Sequence, residues 1–293
     1  MNLGNDMLTV SIVTPSYNQG EFLEQCLLSV KRQAYPAIEH LVIDGGSTDN
    51  TLEILKRYSC QPGWEHLKWI SEPDRGQSEA LNKGFRAATG QVIGWLNSDD
   101  VYLPGSPQEV VETFQKQKNV DLIYGDYFMI DKDGKLVETR KEVSFNRFVL
   151  RHTHVNFVQS SSACFFSRRV VDEGHFIDES YHYAMDYEYF VRLTEAGYRF
   201  QHLSKLLGGF RLHRQTKSSL QTGKQLREHE RVRRQNHGLP LEGKIPSAWR
   251  IRLGLLRCCA NVLRWGEKAL RGYYFTQWRI DNFLRYSKYV QIH

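Results

Sequence analysis

Short apolar runs alternate with helical patterns through the first hundred residues. Four runs predict β-strands: LTVSIVT (8–14), EHLVID (39–44), HLKWI (66–70) and QVIGWL (91–96). Between the first two, Phe22, Cys26 and Val30 recur at every fourth position, as on one face of a helix. TDNTLEILKRY (48–58) and GQSEALNKGFRAA (76–88) predict two more helices. This strand–helix alternation predicts right-handed crossovers and a mainly parallel sheet.

The pattern changes after residue 100. DLIYGDYFMI (121–130), followed by the turn KDG (132–134), predicts two antiparallel strands. SSACFFS (161–167) and FQHLSKLLGGFRLH (200–213) predict further strands, and AMDYEYFVRLTEAG (184–197) predicts a helix that ends at a glycine. The expected fold class is therefore α/β, a mixed sheet flanked by helices.

A polar cluster follows each of the first four predicted strands. The clusters are TPSYN (14–18), DGGSTD (44–49), SEPDRGQ (71–77) and NSDD (97–100). In open α/β sheets, ligands bind beyond the carboxyl ends of the strands. The four clusters thus predict one shared binding site.

Asp99 and Asp100 are adjacent carboxylates at the end of a strand that is expected to be buried. Carboxylates suit Mg²⁺ or Mn²⁺, which bind them together with substrate phosphate oxygens. Alternatively, Asp100 caps the start of a following helix. The sequence contains neither G-x-G-x-x-G after the first strand nor a P-loop, which disfavours a dehydrogenase or a P-loop enzyme.

Residues 8 to about 215 resemble an inverting glycosyltransferase of family 2 with the GT-A fold. The matching stretches are TVSIVTPSYNQGEFLEQCLLSV, LVIDGGSTDNT, SEPDRGQSEALNKGF, GWLNSDD and AMDYEYFVRL, in the family's order and spacing. The resemblance implies a GT-A-like, Rossmann-type mixed sheet, mainly parallel. It also implies transfer of a sugar from a nucleotide-diphosphate-sugar donor, with UDP favoured, to a saccharide or lipid-linked saccharide acceptor.

The same resemblance assigns roles to individual residues. Asp186 would be the base that deprotonates the acceptor hydroxyl; its alternative is an acidic residue that favours a helix start. Asp100 would bind Mg²⁺ or Mn²⁺, with Asp99 on the metal or the ribose and His213 assisting. The donor would contact the following residues: Thr14, Pro15, Ser16, Tyr17, Asp44, Ser47, Asp74, Arg75, Gly76 and Asp99. Further candidates are Arg214 and Lys217 as phosphate contacts, and His152 and His154 on the acceptor side.

Several of these residues have simpler interpretations. Pro15 could belong to an ordinary turn, Ser47 could be a turn or cap residue, and Arg75 could be a solvated loop arginine. His213 could be structural. A sugar nucleotidyltransferase and a non-catalytic nucleotide-binding or membrane scaffold protein remain as alternative functions.

The chain has 293 residues, 41% hydrophobic and 25% charged, which is ordinary for a folded protein. We divide it into a catalytic domain, 1–220, and a basic helical extension, 221–293. No secretory signal and no membrane-spanning run is expected. The five cysteines are odd in number and scattered, which favours a reducing cytosol.

The net charge of +6 comes from the end of the chain. Residues 244–293 contain ten Lys and Arg against two acids, a balance of +8, so residues 1–243 carry about −2. Nucleic-acid binding by the whole protein thereby loses its main support.

Counting about 100° per residue from Trp249 separates two faces of a C-terminal helix. The apolar face contains Ile251, Leu255, Cys258, Val262, Trp265 and Ala269; the basic face contains Arg250, Arg257, Arg264, Lys268 and Arg271. Such a helix could lie on an anionic membrane surface, pack on the catalytic domain with its basic face solvated, or form a homodimer contact. Cys258 and Cys259 are expected to be core residues, and the protein to be cytoplasmic and peripheral at the inner face of the membrane.

Overall fold

A computed structural model describes residues 7–153, 161–213, 222–275, 277 and 279. Its centre is a nine-stranded sheet with the order β3-β2-β1-β4-β8-β6-β9-β5, and β7 pairs with β6. The strands are β1 Val10–Ser16, β2 Ile38–Asp44, β3 Leu67–Ser71, β4 Val92–Trp95, β5 Val101–Tyr102, β6 Leu122–Ile130, β7 Leu136–Arg140, β8 Cys164–Ser167 and β9 Phe200–Arg211. The expected mixed, mainly parallel sheet is confirmed.

The first four strands form a parallel unit. β1 pairs in parallel with both β2 and β4, and β2 pairs in parallel with β3. The crossovers are α1 Gly20–Lys31, α2 Thr51–Ser59 and α3 Gln77–Ala87, all three as the apolar periodicity predicts. Because these strands run the same way, the loops after them meet at one edge of the sheet.

The remaining strands add an antiparallel part. β8 lies between β4 and β6 and runs antiparallel to both, while β9 runs parallel to β6. β5 was not predicted: Val101 and Tyr102 pair with Gly209 and Gly208. The alternative of Asp100 as a helix cap is therefore wrong, because a strand follows Asp100 and the next helix begins only at Ser106.

Helices cover the sheet and bury its apolar side chains. The later helices are α4 Ser106–Lys116, α5 Arg147–His152, α6 Arg169–Asp172, α7 Met185–Glu195, α8 Thr222–Asn236 and α9 Ser247–Leu270. Side chains of β1, β4 and β8 are fully buried beneath them, including Val13, Ile93 and Phe166. The strands that carry the polar loops are thus held by the core itself.

The face of α9 that packs on the catalytic domain is not the one that its amphipathic pattern suggests. Leu253, Ala260, Arg264 and Lys268 are buried, whereas the apolar positions of the sequence pattern are exposed. The expectation that a docked helix would leave its basic face solvated is therefore wrong for Arg264 and Lys268. Cys258 and Cys259 are exposed as well, so they are not core residues.

Arg264 and Lys268 point inward because a buried carboxylate lies beneath them. Glu142 is almost fully buried, and its Oε2 lies 3.6 Å from a guanidinium nitrogen of Arg264. Burial raises the pKa of Glu142, while the positive charges of Lys268 and Arg264 act in the opposite direction. The extension is thus joined to the domain by a charged contact. In the described part of the chain, no helix has the length and apolarity needed to cross a bilayer.

Candidate active site

One large cavity, of about 1670 Å³, opens at the carboxyl ends of β1, β2, β3 and β4. All four predicted polar loops contribute to its wall, and so do residues near the start of α7. The lining residues that sequence reasoning selected are Pro15, Ser16, Tyr17, Asp74, Arg75, Gly76, Asp99 and Asp186. Thr14, Asp44, Ser47, Asp100 and His213 lie beside or behind this lining.

Asp99 is the member of the acidic pair that faces the cavity. Its carboxylate is about one-fifth exposed, and Oδ2 lies 2.9 Å from Nε2 of His213. His213 follows β9 and packs against the ring of Phe22, with 4.6 Å between ring centroids. The tertiary fold therefore brings the predicted metal-assisting histidine to Asp99 across 114 residues of sequence.

Asp100 is fully buried and does not line the cavity. It accepts hydrogen bonds from the backbone N–H of Arg211, at 2.9 Å, and from the amide of Asn97, at 3.3 Å. Burial and the neighbouring charge of Asp99 raise its pKa well above the ordinary value. Its role as the direct metal ligand stays a prediction, and Asp99 has the more accessible carboxylate.

Arg211 balances the two adjacent carboxylates, and sequence reasoning missed it. The side chain is almost completely buried, and its guanidinium donates to the carbonyls of Asp99, Asp131 and Lys132 and to Oε1 of Gln25. Burial lowers the pKa of Arg211, and the charges of Asp100 and Asp99 oppose that shift. The signal in the sequence was a single arginine within the apolar run KLLGGFRLH.

Asn97 fixes the strand end from which the acidic pair extends. Its Oδ1 accepts from Nε1 of Trp95 and from the amide of Gln77, each at 2.8 Å. Its amide donates to Oγ of Ser161 at 3.0 Å. These bonds connect the loop after β4 to the start of α3 and to the segment that precedes β8. Asp99 is thereby held at a defined place on the cavity wall.

The residues at the end of β1 and in the loop after it face two ways, some toward the cavity and some toward the core. Pro15, Ser16 and Tyr17 line the cavity, and Tyr17 is 59% exposed, so its ring is available to a ligand. Thr14 is fully buried, with Oγ1 2.9 Å from Nε2 of His40. Burial lowers the pKa of His40 to about 3, so the imidazole is neutral at pH 7. The position of Thr14 favours support of this loop over direct contact with a donor.

Asp44 holds the loop that follows β2. Its carboxylate accepts from the N–H groups of Gly46 and Ser47, at 3.1 and 2.9 Å, and from the hydroxyls of Ser47 and Ser71. The side chain is fully buried. In this conformation its oxygens order the loop, and the role of Asp44 at the base edge stays a prediction, as does that of Ser47.

The loop after β3 closes against the loop after β2. A Cβ at Gly45 would lie 2.7 Å from a carboxylate oxygen of Asp74, so a larger residue there would displace the Asp74 side chain. Asp74 accepts from the N–H of Gly76, whose φ of +130° also favours glycine. The guanidinium of Arg75 is exposed and pairs with Glu79 at 2.7 Å and with Glu179 at 2.5 Å. These contacts engage Nε and one terminal nitrogen of a side chain that is otherwise exposed.

Asp186 lies in the first turn of α7 and lines the cavity. Its Oδ1 accepts from the N–H of Tyr187 at 2.7 Å. Glu188, two residues later, instead pairs with Arg192 at 2.7 Å and does not line the cavity. Of these two acids, the helix therefore presents Asp186 to the cavity and Glu188 to a neighbour on its own surface.

The C-terminal extension anchors the start of α7. Glu228 of α8 accepts from the backbone N–H groups of His182, Tyr183 and Ala184, at 3.1, 2.7 and 2.9 Å. Gln225 and His229 on the same helix line the cavity. Nothing in the sequence of α8 distinguished Glu228 from its other acids. The extension from residue 221 thus contributes to the candidate site, although the boundary at 220 stays a prediction.

A divalent cation is compatible with the side chains at this end of the cavity. A carboxylate oxygen of Asp99 and an imidazole nitrogen of His213 lie 2.9 Å apart, and Asp100 is the next residue. Among the described residues, no group of three such side chains is already arranged around a point. Mg²⁺ and Mn²⁺ commonly complete their coordination with phosphate oxygens and water, so this incomplete set fits them. Arg214, Lys217 and His154 lie outside the described residues.

A comparison with known protein families identifies the family of this chain. The sequence model of Glycosyl transferase family 2 matches residues 11–175, more than half of the chain. The chain belongs to this family. The match spans the four polar loops and the acidic pair, and it ends before Asp186.

Curated relatives agree with the family assignment. The chain is 30% identical over 230 residues to hyaluronan synthase of Pasteurella multocida and 27% identical over 231 residues to chondroitin synthase of Escherichia coli. These alignments cover 77% and 76% of this chain but only 22% and 32% of the two synthases. The chain thus spans about a third or less of the length of these two relatives.

Solved structures share the fold. Residues 1–349 of Staphylococcus aureus TarS, in complex with UDP-GlcNAc, align with a TM-score of 0.62 and 18% identity, covering 87% of this chain and 73% of that one. The mannosyltransferase PcManGT from Pyrobaculum calidifontis, in complex with GDP-Man and Mn²⁺, aligns with a TM-score of 0.61 and 17% identity, covering 86% and 70%. At these identities the likeness confirms the GT-A fold.

Proposed function

We propose that this family 2 protein is an inverting glycosyltransferase that uses a divalent cation. It would transfer a sugar from a nucleotide-diphosphate-sugar, with UDP favoured, to a hydroxyl of a saccharide or lipid-linked saccharide in cell-surface polysaccharide assembly. One observation carries the proposal: Asp99, whose carboxylate contacts His213, and Asp186 on α7 line the same cavity as the loops after β1, β2 and β3. The site therefore contains groups suited to both the departing and the attacking side of a transfer.

The donor end of the proposed site is formed by the loops after β1, β2 and β3. Tyr17 offers an exposed ring for a base, and Arg75 offers a guanidinium that can pair with a diphosphate in a forked arrangement. Two proteins with the same fold support this assignment, since TarS binds UDP-GlcNAc and PcManGT binds GDP-Man. UDP is favoured over GDP by the family resemblance, while Asp44 would also suit thymidine.

Asp99 and His213 would hold Mg²⁺ or Mn²⁺, with Asp100 as the third candidate. A bound divalent cation supplies positive charge that stabilises the nucleoside diphosphate as it leaves. Arg211 keeps the carboxylates in place from behind, because its guanidinium fixes the carbonyl of Asp99 and its N–H fixes Asp100. The protein thus holds the acidic pair in position before any ligand arrives.

Asp186 would act on the acceptor side. In an inverting transfer, a base removes the proton of the acceptor hydroxyl as its oxygen attacks the sugar carbon opposite the leaving diphosphate. Asp186 is partly exposed at the cavity wall, and α7 begins where Glu228 binds three backbone N–H groups. The carboxylate is therefore carried on a fixed helix start, which favours a defined approach of the acceptor.

Donor binding gives the first test. The melting temperature of the wild type is expected to rise with UDP-sugar plus Mn²⁺. At a ligand concentration 100-fold above Kd, binding stabilises the folded state by about 2.7 kcal/mol. Asp99→Asn is expected to lose the Mn²⁺-dependent part of this shift. Asp133→Asn, an exposed carboxylate elsewhere, is the matched control and keeps it. A panel with dTDP- and GDP-sugars identifies the base, and the absence of a shift with every donor would contradict the proposal.

Glu228→Ala gives a second test, of the role of the extension. Loss of the three backbone contacts is expected to displace the start of α7 and lower kcat by roughly tenfold or more, because small misplacements of catalytic groups are costly. The donor-induced thermal shift stays unchanged. Glu228→Gln, which keeps an acceptor oxygen, restores part of the loss, and Leu226→Ala on the same helix is neutral. A loss of stability with unchanged kcat would show that Glu228 has a structural role only.

A further inference from the structure

The outward face of α9 is an uninterrupted apolar stripe. Along the helix, Ile251, Leu255, Val262 and Trp265 are 66, 63, 60 and 55% exposed, and Cys258 lies between them. From residue 251 to residue 265 the stripe is roughly 21 Å long at 1.5 Å per residue. Exposed apolar patches of this kind mark interaction surfaces more often than chance.

The inner face of the same helix carries charged side chains that have partners on the catalytic domain. Arg264 and Lys268 are buried at Glu142, and Glu267 accepts from the N–H of Ser144 at 2.9 Å. Arg271 also pairs with Glu267 at 2.7 Å. The helix is therefore docked through charged and polar contacts, and this arrangement keeps the apolar stripe outward.

The exposed charged side chains of α9 have one sign. Arg250, Arg252 and Arg257 are exposed, and Glu267 is the one acid within residues 247–270. Because Glu267 is engaged with Ser144 and Arg271, it does not offset these arginines. α9 thus combines an outward apolar stripe, which includes Trp265, with exposed arginines on its remaining solvent-facing surface.

We propose that α9 docks this protein onto an anionic lipid bilayer surface, with the stripe inserted at the level of the headgroups. An interfacial helix buries its apolar face by about 5–10 Å and places arginines at anionic headgroups. Two copies packed stripe to stripe would instead bring like charges together, since a two-fold interface repeats the same patch on both partners. The sequence balance of +8 over residues 244–293 favours the same partner. This inference is independent of the proposed transfer reaction.

Sedimentation of the full chain with vesicles tests the inference. The wild type is expected to bind vesicles of phosphatidylcholine with phosphatidylglycerol more tightly than vesicles of phosphatidylcholine alone, and less tightly at high salt. I251S/V262S is expected to weaken binding at least about tenfold, because two exposed apolar side chains lose their burial in lipid. R252Q/R257Q is expected to weaken binding about fivefold per arginine and to reduce the salt effect. L226S/L241S, which changes two exposed leucines outside α9, is the matched control and binds like the wild type.

The same variants distinguish a lipid surface from other partners that could cover the stripe. Failure to bind anionic vesicles, or equal binding by I251S/V262S, overturns the inference. A dimer in analytical ultracentrifugation that I251S/V262S dissociates, without vesicle binding, would assign the stripe to a second copy. A monomer without vesicle binding overturns the inference as well. The donor-induced thermal shift is measured on the same samples. A failure of donor binding is thereby distinguished from a failure of membrane binding.

Discussion

Asp186→Asn is expected to lower kcat by roughly 10²–10⁴-fold, the range that a positioned acid or base contributes. Asparagine keeps the size of the side chain and an acceptor oxygen for the N–H of Tyr187, so the start of α7 should be preserved. It cannot take up the proton of an acceptor hydroxyl. The measurement is the release of nucleoside diphosphate from the donor that the thermal-shift panel identifies, in the presence of acceptor.

The neighbouring acid provides a matched control for this substitution. Glu188→Gln lies two residues along the same helix, where the carboxylate pairs with Arg192 and does not line the cavity. Its turnover is expected to stay near that of the wild type. Unchanged turnover in Asp186→Asn would exclude Asp186 as the base. Loss of the donor-induced thermal shift together with turnover would instead assign Asp186 to binding. Retained binding with lost turnover would exclude the non-catalytic alternative.

Arg211→Met is expected to lower the free energy of unfolding by about 3–5 kcal/mol, as when one partner of a buried charge network is removed. Methionine fills much of the volume but donates no hydrogen bond. Three backbone carbonyls and Gln25 would lose a donor, and the adjacent carboxylates of Asp99 and Asp100 would lose the neighbouring positive charge. Denaturant unfolding of the variant and the wild type at pH 7 measures the difference.

Two further variants separate charge from geometry at this position. Arg211→Lys keeps a positive charge but cannot reproduce the several directions in which the guanidinium donates, so an intermediate loss is expected. Arg57→Met removes an exposed arginine whose pair with Glu24 is 3.7 Å long, and it should change stability by less than about 0.5 kcal/mol. If Arg211→Met were as stable as Arg57→Met, the acidic pair would have to be balanced by another group.

The shared cavity could be predicted because its loops follow a regular pattern. Each of the four polar clusters comes directly after an apolar run, and parallel strands bring their carboxyl ends together. Pro15, Tyr17, Asp74, Arg75 and Asp99 accordingly line one cavity. The position of Asp186 could be anticipated only from the family resemblance, since periodicity places it on a helix but not at a cavity.

The sequence by itself determined the fold class, the order of the strands' polar loops and the family, because these depend on local periodicity and on motifs with fixed spacing. Only the tertiary structure decided which polar groups meet: Arg211 with Asp99 and Asp100, Glu228 with the start of α7, and Glu142 with Arg264. These pairs join segments far apart in the chain, and no periodicity encodes them. The pair of Glu142 with Arg264 accompanies the orientation of α9, that is, which of its faces packs on the domain. Its amphipathic pattern suggests that the apolar face packs inward, whereas Arg264 and Lys268 of the basic face are the buried ones, above the buried carboxylate of Glu142.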